Sequence, residues 1–197
     1  MRIKICGLSR PEDIEAVNLG RPDYIGFVFA PSRRRVSFAQ AEELKSRLHP
    51  AVKSVGVFAG ETPARIAELL RRGVIGIAQL HGDEDLSYAA ALRALTDAPI
   101  VKAIALPTPE RVRAWEDAAD YLLLDGAAGG AGRRFDWASM PVPRTPWFLA
   151  GGLNAGNLEE AARYRPFGLD ISSGAETGGV KDPEKIINLI QIVRNLP

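Results

Sequence analysis

Lys4 and Cys6 stand two residues apart in Arg2-Ile3-Lys4-Ile5-Cys6-Gly7, a β-type run that breaks at a glycine. Alternate side chains of a strand share a face, so the ammonium and the thiol point the same way, with Ile3 and Ile5 on the other side. Cys6 is the one cysteine of the chain. A thiol beside a cation is a candidate base, because the thiolate is the reactive form and positive charge favours it. On this stretch alone, a small buried thiol and an exposed edge-strand lysine explain the same residues. Further polar residues recur where apolar runs end: His81 after 77–80, Asp125 after 121–124, Gly151 and Gly152 after 147–150, and Ser172-Ser173-Gly174 after 168–171. Asp170 shares a strand face with Ser172, and three arginines, Arg33, Arg34 and Arg35, crowd the basic loop 30–37.

Glycine lets backbone N–H groups come close to an anion. One Gly-Gly pair is explained by a tight turn; two glycine-containing turns after consecutive strands point to a phosphorylated ligand. FMN would use the same kind of site, so a phosphate alone does not decide the reaction class. His81 reads equally as a site-lining residue or as a hydrogen-bonded strand-end histidine. One such histidine among scattered acids offers no metal-ligand cluster, and no metal or cofactor is expected.

These residues need a scaffold that brings strand ends together. Short apolar, β-branched runs alternate with amphipathic segments along the whole chain, the pattern of parallel strands with crossover helices. Strands are expected over 2–6, 24–29, 54–58, 77–80, 100–104, 121–124, 147–150 and 168–171. Helices are expected over 11–19, with Ser9 as N-cap, and over 38–48, 63–72, 86–95, 109–118, 157–164 and 183–194. Between strands six and seven the segment 127–134 is too short and Gly-rich for an ordinary helix, leaving at most a turn around 135–139. The expected fold class is α/β: a single (β/α)8 TIM barrel over residues 1–197, a short version with a reduced helix after strand six. A doubly wound open sheet is the alternative, but the first strand-to-helix turn lacks G-x-G-x-x-G. In a barrel the polar strand ends converge on one mouth, where barrel enzymes keep their sites. Closure also sets strand eight beside strand one. A lone interior ammonium is too costly, so Asp170 is expected within about 4 Å of Lys4.

The chain has 25 Lys plus Arg against 24 Asp plus Glu and is 46% hydrophobic in 197 residues, room for one full core. That balance calls for neither nucleic acid nor a membrane surface as partner. A single cysteine, no apolar h-region after Met1 and no apolar run near ~20 residues make a cytoplasmic protein the expectation. A monomer is the default state, with a homodimer as the alternative.

Five segments together resemble phosphoribosylanthranilate isomerases across the chain. They are Lys4-Ile5-Cys6-Gly7; Gln79-Leu80-His81-Gly82; Leu124-Asp125 with Gly129-Gly130-Ala131-Gly132 and Phe135-Asp136-Trp137; Leu149-Ala150-Gly151-Gly152-Leu153-Asn154; and Asp170-Ile171-Ser172-Ser173-Gly174-Ala175-Glu176. Related histidine-pathway barrels place an Asp where this chain has Cys6. The resemblance implies the Amadori rearrangement of a small phosphorylated aminosugar, N-(5-phosphoribosyl)anthranilate, in tryptophan biosynthesis, without cofactor. It implies Cys6 as general base and Asp125 as general acid. Opening the ribose needs a proton given to the ring oxygen and forming the enolamine needs one taken from C2′, so an acid and a base must flank the sugar. Lys4 is a candidate cation for the thiolate. Matching the family's Ser, one residue, Arg, one residue, aliphatic pattern to Ser32, Arg34 and Val36 assigns Arg34 to the anthranilate carboxylate. Substrate contacts are expected from Arg34, His81, Gly151, Gly152, Asp170, Ser172, Ser173 and Gly174. Gly126 and Ala131 depart from the small hydroxyl residues common at those places, which bears on hydrogen bonding in loop six. A histidine-pathway sugar isomerase, an FMN-dependent barrel and a phosphate-binding barrel without turnover are the competing readings.

Overall fold

Eight parallel strands close on themselves in sequence order: β1 (Arg2–Cys6), β2 (Tyr24–Val28), β3 (Lys53–Phe58), β4 (Ile77–Leu80), β5 (Ile100–Ala105), β6 (Tyr121–Asp125), β7 (Trp147–Ala150) and β8 (Gly168–Ile171). The structure is a computed structural model that describes residues 1–126 and 137–196. Closure is made by β8 pairing with β1, in a register that sets Asp170 directly beside Lys4. Among the described residues seven helices lie outside: α1 (Pro11–Gly20), α2 (Phe38–Ser46), α3 (Pro63–Arg71), α4 (Leu86–Arg93), α5 (Pro109–Trp115), α6 (Leu158–Ala162) and α7 (Pro183–Asn195). The expected α/β barrel is therefore the fold. The doubly wound open sheet is excluded, because a sheet with both edges free has no β1–β8 pairing.

Strand alternation sorts the side chains into two cores. Tyr24, Val55, Ile77, Val101, Leu123 and Phe148 point inward and fill the lower barrel, with the Tyr24 and Phe148 rings edge-on at 5.5 Å. The outward residues, Ile3, Ile5, Ile25, Phe27 and their counterparts, pack beneath the helices. The helix α7 covers the closing seam with Ile186, Leu189, Ile190 and Val193 buried. Its start is set by Asp182, whose Oδ1 accepts from the Glu184 and Lys185 amides, at 3.0 and 3.2 Å, satisfying donors that a helix N-terminus leaves free.

Several expected boundaries move. Ser9 is not the N-cap of α1: Arg10 holds that place, and the Asp13 carboxylate accepts from the amides of both Ser9 and Arg10. The helix α5 stops at Trp115 instead of reaching Ala118, whose amide turns back to the Trp115 carbonyl. The last turns of α4 and α6 tighten in the same way, an ordinary way for a helix to satisfy its last carbonyls. Between β6 and β7 one turn of 3-10 helix, Trp137–Ser139, is present among the described residues. The motif residues Gly129 to Gly132, Ala131 included, and Phe135-Asp136 fall outside them. After β8 the chain makes a 3-10 turn, Ser173–Ala175, and a two-stranded hairpin, β9 (Glu176–Thr177) with β10 (Val180–Lys181). That hairpin is not legible in the sequence, because two-residue strands carry no periodicity.

Candidate active site

The base of the mouth is a buried ion pair. Lys4 Nζ donates to Asp170 Oδ2 at 3.0 Å and to Gln79 Oε1 at 2.7 Å. With the side chains 2% and 8% exposed, this is the pairing that strand closure demands. Burial works against the Lys4 charge, but Asp170 and Cys6 together outweigh it and the ammonium pKa is raised. Asp170 Oδ1 is buried and has no hydrogen-bond partner among the described residues, an acceptor held in reserve.

Cys6 lies at the end of β1, one step above Lys4 on the same face, and is buried. Lys4 acts on the thiol in the expected direction, favouring the thiolate, but it does not decide the balance. Burial pushes the Cys6 pKa up, and this outweighs the favourable charges of Lys4 and of Lys181 from the β9–β10 hairpin. Lys181 reaches the mouth by donating to the Ser172 carbonyl at 2.9 Å and to Glu176 Oε1 at 2.6 Å. The Ser172 hydroxyl in turn donates to the Cys6 carbonyl at 3.1 Å. Asp125 stands at the end of β6, half-buried, three strands round the barrel from Cys6 by way of β7 and β8.

His81 continues the interior face of β4 beyond Gln79, with Nδ1 2.9 Å from Gln79 Nε2. The residue is exposed at the rim, yet desolvation of its ring by the surrounding protein lowers its pKa, against the opposing charge of Asp125. The loop that carries it is held by Glu84, which accepts from the Gly60 and Gly82 amides, both at 2.9 Å, and pairs with buried Lys102 at 3.1 Å. Neither partner was expected; the one signal was a lysine inside the apolar run 100–104.

Arg34 is already engaged. Its Nε and Nη2 donate to the two oxygens of Glu176 at 2.6 and 3.0 Å, and Arg33 joins the same carboxylate at 2.6 Å. Glu176 is 4% exposed along its side chain. Burial opposes its charge, but hydrogen bonds from Arg34 and Lys181 outweigh it and bring its pKa down to about 2. Glu176 therefore joins loop two to loop eight, a role absent from the sequence reading although the residue sits in a quoted motif. The fork used is one side of the guanidinium; Arg34 retains N–H donors on Nη1.

The glycine turns follow β7 and β8, neighbouring strands of the barrel. Gly151 and Gly152 have φ of 96° and 67°, the left-handed region that glycine enters freely. The turn is anchored by Asn154 and Asn157, whose side-chain amides donate to the Gly152 carbonyl at 3.0 and 3.1 Å. A Cβ on Gly174 would lie 2.0 Å from the Leu153 carbonyl, so only glycine lets loop eight press on loop seven. The amides of Gly152, Ser173 and Gly174 donate to no acceptor among the described residues, the arrangement of an anion nest. Among the described residues no His, Cys, Asp and Glu side chains are grouped to hold a metal ion, and no helix is long and apolar enough to cross a membrane.

A model of the N-(5'-phosphoribosyl)anthranilate (PRA) isomerase family matches residues 3–192. The chain belongs to that family. An N-(5'-phosphoribosyl)anthranilate isomerase of Endomicrobium trichonymphae is 42% identical over 99% of both chains. The crystal structure of phosphoribosyl anthranilate isomerase from Thermus thermophilus shares 37% identity with a TM-score of 0.87, covering 100% of each chain. Another solved family structure, 29% identical with a TM-score of 0.81 and 100% coverage of both chains, is a complex with reduced 1-(O-carboxyphenylamino)-1-deoxyribulose 5-phosphate. Family membership agrees with the resemblance read from Cys6, His81, Asp125 and the two glycine turns.

Proposed function

We propose that residues 1–197 form one catalytic domain that converts N-(5-phosphoribosyl)anthranilate to 1-(2-carboxyphenylamino)-1-deoxyribulose 5-phosphate in tryptophan biosynthesis. The observation that carries this is the placement of Cys6 and Asp125 at the C-terminal ends of β1 and β6, across one barrel mouth, in a chain of this family. Asp125 delivers a proton to the ribose ring oxygen as the ring opens, and Cys6 takes the C2′ proton as the Schiff base becomes the enolamine. Lys4 and Lys181 offset the cost that burial places on the thiolate. Asp170 Oδ1 accepts from a sugar hydroxyl, and His81 with Ser172 lines the channel between base and acid. The protein acts in the cytoplasm, with a monomer as the default state and a homodimer as the alternative. Rescue of a tryptophan-requiring strain that lacks this isomerase tests the reading: growth supports it, and no growth from a folded, expressed protein overturns it. A yellow purified protein would favour the FMN-dependent barrel instead.

The phosphate is assigned to the amides of Gly152, Ser173 and Gly174, with Gly151 shaping the turn. Among the described residues, no atom beyond its two chain neighbours lies within 4 Å of a Cβ built on Gly152, leaving space on that side of the turn for a ligand. Gly152→Val is expected to raise KM steeply, through the strained φ of 67° and through loss of backbone approach. An unchanged KM, or product phosphate seated elsewhere in a crystal of the complex, would show that the loop is only a turn.

Arg34 is assigned to the anthranilate carboxylate through its remaining donors, Glu176 fixing the angle of the guanidinium plane. A charge-assisted bond of this kind contributes ~1.5 kcal/mol or more, so Arg34→Ala should lose roughly tenfold or more in kcat/KM. Arg33→Ala and Arg35→Ala should lose little. Equal losses at all three positions would point to general electrostatic steering.

A further inference from the structure

A hydrogen-bonded chain runs up the barrel wall from the buried ion pair to the rim: Asp170, Lys4, Gln79, His81. Lys4 Nζ lies 2.7 Å from Gln79 Oε1. An ammonium has three donors and no acceptor, so the amide atom facing it must be the carbonyl oxygen. That choice settles the far end of the same amide. Gln79 Nε2, which has hydrogens to donate and no lone pair to offer, lies 2.9 Å from His81 Nδ1. Nδ1 must therefore accept, and the single proton of a neutral imidazole must be on Nε2.

We infer that Lys4, acting through Gln79, holds His81 as the neutral Nε2–H tautomer, which makes this ring a hydrogen-bond donor at the mouth and not a base. Both alternatives place donor against donor. Turning the amide over would set its NH2 against the ammonium, in a site where Gln79 is 1% exposed. A buried donor left without an acceptor is strongly disfavoured. Protonating Nδ1 would set its N–H against Gln79 Nε2. Burial disfavours the imidazolium first; Lys4 and Lys102 add to this, while Asp125 and Asp170 oppose it. Lys4 and Gln79 are thus positioning residues, and the buried ion pair acquires a second consequence at the rim. The tautomer stands on the geometry alone; its use as a donor to substrate rests on the isomerase reading.

The chain has two histidines, so the imidazole nitrogens can be read individually by 15N NMR, with His49→Gln assigning the signals. In the whole protein at neutral pH, His81 should show an unprotonated Nδ1, resonating far downfield, and a protonated Nε2. A protonated Nδ1, in either the other tautomer or the imidazolium, overturns the proposal without any variant at position 79. Gln79→Glu supplies the sharper test. An ionised carboxylate can only accept, so Nδ1 must then gain a proton, and the His81 pattern should invert or become that of the imidazolium. An unchanged pattern in the folded variant removes Gln79 from the account. Should that variant not fold, Gln79→Met removes the donor and should leave a mixture of tautomers, with the same unchanged pattern counting against the proposal. Where Gln79→Glu inverts the tautomer, the lost hydrogen bond to substrate corresponds to roughly a tenfold fall in kcat/KM; where it gives the imidazolium, the Nε2–H donor is kept and that fall is not expected. A tautomer that switches with kcat/KM unchanged overturns the donor role. A wild-type protein inert toward the aminosugar phosphate, with the Nε2–H tautomer present, overturns the isomerase reading and leaves the tautomer standing.

Discussion

Replacing Cys6 by Ala lowers kcat by ~10²–10⁴-fold, the usual loss when a general base is removed, while phosphate binding and folding stay near normal. Asp125→Asn has the same effect from the acid side. The separation follows from the architecture: Cys6 and Asp125 end β1 and β6, whereas the proposed phosphate amides belong to the loops after β7 and β8. Cys6→Ser is also poor, because a hydroxyl is much harder to deprotonate than a thiol of ordinary pKa ~8.5. The pH dependence has a definite sign. The base must lose its proton to act and burial raises the Cys6 pKa, so the thiol limb of kcat/KM rises with pH toward the alkaline side of the ordinary thiol value. That limb vanishes in the Ser variant. The two lysines bear on the same limb, since each stabilises the thiolate; Lys181→Met moves it further alkaline. Near-normal turnover by a folded Cys6→Ala protein would make the thiol structural and require the base to be sought elsewhere, although an Nε2–H His81 held by Gln79 is poorly placed to be that base.

Removing one partner of the Lys4–Asp170 pair destabilises the barrel by about 3–5 kcal/mol, because the survivor is left as an uncompensated charge in the interior. At about 2–4 °C per kcal/mol for a chain of this size, Tm falls by roughly 6–20 °C. Lys4→Met also strands the Gln79 carbonyl that now accepts at 2.7 Å, and Asp170→Leu leaves the buried ammonium without its carboxylate. The double variant Lys4→Met/Asp170→Leu recovers much of the loss, since a buried pair exchanged for apolar side chains of similar size is often neutral or better. Chemical denaturation of the four proteins of the cycle checks this. Single variants as stable as the parent would mean that the pair is hydrated and not the interior strut its 3.0 Å geometry implies. The cycle reads stability, so it stays informative even where Asp170 is also lost as a substrate contact.

The positions of the strands were determined by the sequence alone. Each is a short apolar run bounded by turn residues, and a period of two follows from the extended backbone whatever surrounds it. The same periodicity put Lys4 with Cys6 and Asp170 with Ser172, and the closure expected of eight such strands joined those two faces into an ion pair 166 positions apart in the chain. The glycine turns after β7 and β8 were legible for a similar reason, since a backbone that must enter φ > 0 or press on another loop selects glycine locally. Only the tertiary structure showed that Arg34 is gripped by Glu176, that Lys181 completes that cluster, and that Glu84 with Lys102 holds the His81 loop. Those contacts join loops by side chains whose spacing follows no period. Tertiary structure likewise decided the ionisation of Cys6. A lysine two residues away is visible in the sequence and favours the thiolate, but the desolvation that outweighs it depends on how closely the neighbouring strands and loops pack over the sulfur. The proton on His81 belongs to the same class: it follows from the order of donors and acceptors along Lys4, Gln79 and His81, which exists only once β1 and β4 face each other across the closed barrel.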